Sequence, residues 1–220
     1  MTEALTVGVV PSTWLARTAG RKHVRTEEPY DRVVLVKPPK GGELLASPTH
    51  LKDPDAAYSE TDIRLIDIPS NSLLTSRFTA FFGGFICYAS GEIFDCHFFA
   101  NWMAGKGRPN TSSEYEGEAD SIIRNGTVVD GGFRLGEQVV IGGVKGNGPK
   151  PYHSFMGLGE DRDDCLQVMS TGGHVGITKI ESMHRFYAEA YAETVSDFGM
   201  YVLRAAEVAQ PETATNHEMF

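Results

Sequence analysis

Cysteine is scarce in this 220-residue chain: Cys87, Cys96 and Cys165 are an odd set without the paired spacing of a zinc cluster. That count argues against a disulfide framework, so the sequons at Asn110 and Asn125 need carry no glycan. Long apolar runs are also missing. None approaches the roughly 18 residues of a membrane-spanning helix, and the N-terminus has no charged start leading into an apolar stretch and a cleavage site. The expectation is a soluble, unsecreted chain, cytoplasmic or, for a viral protein, carried in the virion. Basic charge is in deficit, with 20 Lys and Arg against 29 Asp and Glu and a net charge of -9. Such a balance disfavours nucleic acid and anionic membranes as partners. The one basic patch runs through Arg17, Arg21, Lys22, His23 and Arg25, and no internal repeat is visible.

What is present is globular in composition, with 41% hydrophobic and 22% charged residues. The length suits one core, which we divide into an N-terminal arm or edge strand (1–30), a single domain (31–209) and a polar tail (210–220). Leu5 to Val10 is the one apolar stretch of that arm or edge strand, and Asp31 to Val36 reads as a strand, β-branched and closed by Pro38 and Pro39. Ile63 to Ile68 alternates apolar and polar residues with the period of a half-buried strand. Phe78 to Phe99, dense in aromatics around paired glycines, reads as two or three strands. Asn125-Gly126 between β-branched residues signals a hairpin over Ile122 to Val129. Leu135 to Val144 adds a strand, and Ser154 to Leu158 with Cys165 to Met169 forms a second hairpin.

One long helix is expected near the C-terminus. Thr178 and Glu181 have capping-box spacing, and Ile180, Met183, Tyr187, Ala190 and Tyr191 recur at helical period. Gly199 suits the position after its end, and Met200 to Leu203 is a closing strand. The fold class that results is α+β, a mainly antiparallel sheet with that one long C-terminal helix packed on it.

From about residue 80 to 204 the order of elements resembles the phosphodiester glycosidase (uncovering-enzyme) family. "AFFGGF" or "HFFANW" resembles its aromatic segment, "IIRNGTVV" its short hairpin, "MGLGEDRDDCLQV" its acidic glycine segment and "GITKIE" its helix start. Where that family closes on Asp-Gly-Gly, this chain continues as "RAAEVA" from Arg204. The resemblance implies a hydrolase acting on a sugar phosphodiester without a cofactor. Beside it stands the fold without the chemistry: a carbohydrate-binding or structural assembly subunit, as of a viral particle, forming a homo-oligomer.

Such hydrolysis needs an acid, a carboxylate or water at the anomeric carbon, and donors for the phosphate. Glu181 is a catalytic candidate through the resemblance, and the helix cap is its structural alternative. In a strand, Asp95 and His97 share a face while Cys96 points away, so the Cys96-His97 pair does not read as a metal site. Asp95 and His97 are therefore the other catalytic candidates. Lys106, Arg108 and Asn110 sit in a glycine-bearing loop suited to an anionic ligand, and His174 is a further substrate contact. The acidic run at Glu160 to Asp164 lacks calcium-loop spacing. Gly142 to Lys150 lacks the ending of a phosphate loop. No metal is expected.

Overall fold

The structure, a computed structural model, describes residues 3–10, 33–35, 64–82, 96–106, 112–169 and 174–204. Its strands are β1 (Glu3–Val10), β2 (Val33–Leu35), β3 (Arg64–Ser70), β4 (Thr127–Val129), β5 (Gln138–Lys145), β6 (Gly148–Gly157), β7 (Asp164–Met169), β8 (His174–Lys179) and β9 (Ser196–Val202). The helices are α1 (Ser72–Phe82), α2 (Cys96–Met103), α3 (Ser112–Asn125) and α4 (Ile180–Tyr191). All nine strands join one sheet in the order β3-β1-β2-β8-β7-β6-β5-β9-β4. Every pairing is antiparallel.

Because side chains alternate along a strand, the register sorts the core into two layers. Met156, Leu166, Val168, Val175 and Ile177 project toward α1 and α2, where Leu74, Phe78, Phe98, Phe99 and Met103 cover them. On the same side Val140 and Tyr201 pack against Ala119, Ile122 and Ile123 of α3. The intervening positions Val139, Ile141, Phe155, Cys165, Met200 and Val202 face the other way and are covered by Ile180, Met183 and Tyr187 of α4. Among the described residues, three helices thus lie on one face and one on the other.

The mainly antiparallel α+β class holds, whereas the single long C-terminal helix gives way to four short ones. α4 has 12 residues and α3 has 14. β1 lies between β3 and β2, an interior strand rather than an edge. The aromatic stretch expected as strands contains the end of α1 and the start of α2. Asn71 starts α1, its Oδ1 accepting from the Leu74 amide at 2.8 Å, a cap that propensity counting over phenylalanines overlooks. The two helices are then locked together: the Arg77 guanidinium lies 4.2 Å over the Trp102 ring, and Trp102 Nε1 donates to the Arg77 carbonyl at 3.0 Å.

Two turn signals are also reassigned. Asn125 ends α3 and Gly126 passes directly into β4, its amide donating to the Ile122 carbonyl at 2.9 Å. β4 pairs with β9, so the expected hairpin over Ile122 to Val129 does not form. Thr178 lies inside β8 and the cap position of α4 is Lys179, with no side-chain capping bond. The Ile180 amide instead donates to the backbone carbonyl of Asp163 at 2.9 Å. Gly199, expected behind a helix end, pairs with Gly142 in mid-strand.

Candidate functional site

The centre of the sheet forks. β6 and β7 are paired only from Phe155 to Gly157 and from Cys165 to Gln167. Beyond that point Val168 and Met169 pair with β8, while Ser154 and His153 pair with β5. α2 packs chiefly on β6, and it starts at this fork: His97 Nδ1 shares a 2.7 Å hydrogen bond with Ser154 Oγ. Cys96 is the first residue of α2, next to His97, as His153 is next to Ser154. The bond fixes α2 against β6 with Cys96 on the α2 side of the sheet, while the His153 imidazole, by alternation from Ser154, lies on the α4 side. Cys96 is partly exposed.

On the α4 side His153 is held from three directions. Its Nε2 lies 2.7 Å from Gln167 Oε1, an oxygen that only accepts, so the ring proton sits on Nε2 and Nδ1 keeps the basic lone pair. Gln167 Nε2 in turn donates to Thr178 Oγ1 at 2.7 Å. Tyr187 stacks on the imidazole with centroids 4.9 Å apart. Burial, then the neighbouring His97, push the His153 pKa down to about 3 against the opposing bond to Gln167. The ring is neutral at physiological pH.

A β-bulge completes the arrangement. Ile141 pairs with His153 but Gly142 with Pro151, leaving Tyr152 as the extra residue of β6. With alternation broken there, Tyr152 and His153 both meet α4: Tyr152 stacks on Tyr191 at 4.2 Å, one turn from Tyr187. Cys165, on the same face, is fully buried, and burial followed by the charge of Asp164 raises its pKa well above the ordinary value. Such a thiol is inert as a nucleophile.

Among the described residues, those expected from sequence are not gathered in one place. His97 is buried in the layer beneath α2, and its helical backbone replaces the expected strand alternation with Asp95. Glu181 is exposed in the first turn of α4, on the opposite face of the sheet. Lys106 follows α2 and pairs with Glu118 at 3.4 Å. His174 opens β8. Asp95, Arg108 and Asn110 lie outside the described residues. The sequence did not point to His153 and Gln167, and it read Thr178 as a helix cap. Their signal was a polar residue inside an apolar run, as in "YHSFMGL" and "CLQVM", since a buried polar side chain needs a partner.

Among the described residues, no group of three or more His, Cys, Asp or Glu is arranged to hold a metal ion, and no helix is long and apolar enough to cross a membrane. Comparison with protein-family models, curated proteins and solved structures finds no match.

Proposed function

We propose that the chain is a non-catalytic structural assembly or carbohydrate-binding subunit. The observation that carries this is the 2.7 Å hydrogen bond between His97 and Ser154, which holds that histidine inside the layer between α2 and the sheet, while Glu181 lies exposed on α4 across the sheet. An acid and a base for glycosidic cleavage have to flank one bond, and these two side chains are on opposite faces. The polar chain His153–Gln167–Thr178 is closed on itself in the core, as a structural network is.

Hydrolysis of a sugar phosphodiester through Glu181, Asp95 and His97 is the weaker proposal, because the sheet stands between Glu181 and His97. The test is sedimentation of the full chain together with turnover of a model sugar phosphodiester. A homo-oligomer without turnover is expected, and turnover that is lost in Glu181→Ala would end this reading.

A further inference from the structure

We infer that Gln138 and Asn101 form a recognition site for neighbouring hydroxyl groups of a sugar, on the face of the sheet covered by α2 and α3. The choice of a sugar rests on the carbohydrate-binding reading; the unmet hydrogen-bonding groups do not. Gln138 is 5% exposed and Asn101 2%. Neither end of the Gln138 amide finds a hydrogen-bond partner among the described residues, and neither does Asn101 Oδ1. Because Oε1 and Nε2 of Gln138 are both unmet, it makes no difference which way round its amide is placed. Gln167, also buried in the sheet, is by contrast bonded at both ends. Buried polar atoms are costly when unpaired, so three of them together point to a ligand rather than to the fold.

The two residues belong to one neighbourhood. Alternation puts Gln138 on the same face of β5 as Val140, the face that α3 covers with Ala119. Glu118, next to Ala119, pairs with Lys106 at 3.4 Å, and the Lys106 amide donates to the Asn101 carbonyl at 3.2 Å. Asn101 follows His97 by one turn, on the side of α2 that reaches Ser154, and Ser154 pairs with Val140 as Met156 pairs with Gln138. The Lys106–Glu118 bridge is solvent-accessible, and an ion pair of that kind parts at little cost to admit a ligand. What the site asks for follows from its atoms. Gln138 offers an acceptor beside an N–H donor, and Asn101 Oδ1 is a second acceptor. A phosphate or carboxylate supplies acceptors alone and would set an anion against two carbonyl oxygens; a cation would leave the amide nitrogen unmet. Hydroxyls donate and accept at once, so two adjacent ones satisfy all three atoms.

The test is nitrogen-15 NMR of the side-chain amides in the full chain, titrated in turn with methyl mannoside, methyl galactoside, N-acetylglucosamine and inorganic phosphate. Gln138→Met and Asn101→Leu keep the approximate shape, remove the polar ends and identify the two signals; backbone-linked assignment replaces them if they do not fold. At least one sugar is expected to shift both signals to saturation, and phosphate to move neither. Binding is expected to weaken about ten-fold or more in each variant, the scale of a lost hydrogen bond. The thermal midpoint of each ligand-free variant should stay level or rise, because an unmet buried polar group has been removed. Signals that no sugar moves, or binding undiminished in both variants, overturn the inference. A lowered midpoint in both variants overturns it as well, since the amides would then be bridging buried water for the fold. Sugar-induced shifts confined to other residues remove this site and leave the carbohydrate-binding reading standing; an assembly that binds none of the sugars removes both.

Discussion

His97 Nδ1 and Ser154 Oγ meet at 2.7 Å inside the protein although 57 residues separate them in sequence. This contact pins the start of α2 to the centre of the sheet, and it makes His97 a buried structural group. Ser154 is fully buried, so removing the imidazole strands a hydroxyl away from water. His97→Ala is expected to lower stability by about 1–3 kcal/mol, the penalty of an unsatisfied buried polar group. His97→Asn, whose amide reaches toward the position of Nδ1, recovers part of it. Urea denaturation of the three proteins decides the matter, and an unchanged midpoint in His97→Ala counts against this role.

A second expectation concerns acid. His153 binds its proton at about 3 in the folded chain against an ordinary value of 6.5. The unfolded chain therefore holds more protons between those values, and stability falls as pH drops from about 6.5 toward 3. Above 6.5 the contribution is constant. Carboxylates titrate below about pH 5, so the interval from 6.5 to 5 reports histidines. His184, also lowered by burial, acts with the same sign. Replacing His153 with Gln, which never charges, is expected to flatten most of the slope in this interval. A slope equal to that of the wild type would show that the burial of His153 is not what couples folding to pH.

Strands were legible wherever alternation or a β-branched run reached the surface of the sequence, as in "LTVGVV", "IRLIDI" and "QVVIGGV". The hairpin of β6 and β7 was visible for the same reason. α1 and α2 were not, because "FTAFF" and "CHFFANWM" carry the aromatic density of strands, and burial against the sheet outweighs that preference. β8 was hidden by a chance capping-box spacing. The site was less legible still. It depends on where two strands part and on a one-residue bulge at Tyr152, and neither is a property of any short segment.

The capping-box correction has a measurable consequence. Glu181 is exposed, and α4 has no side-chain cap. Glu181→Ala thus removes only a favourable charge from the first turn, an effect of a few tenths of a kcal/mol. The thermal midpoint should remain close to that of the wild type, with any shift diminished by salt. A loss near 1 kcal/mol, the size of a true cap, would reinstate the pairing with Thr178.

Gly126 offers the sharper contrast. As a hairpin residue it would need a positive φ; as the joint between α3 and β4 it needs space. A Cβ at this position would meet the backbone carbonyl oxygens of Ile122 and Val202. Both are fixed: Ile122 O accepts the Gly126 amide, and Val202 pairs with Thr127 and Val139. Neither can yield as a flexible side chain would. Gly126→Ala should therefore cost about 1–3 kcal/mol through overpacking, with hydrogen exchange quickening first in β4 and the last turn of α3. Asn125 is exposed at the helix end, its Nδ2 donating to Ser121 Oγ at 3.2 Å. Asn125→Ala should cost far less, within about 0.5 kcal/mol. A turn of the Asn-Gly type would reverse this, making Asn125 and Gly126 similarly sensitive, and denaturation of the two variants side by side tells the joint from the hairpin.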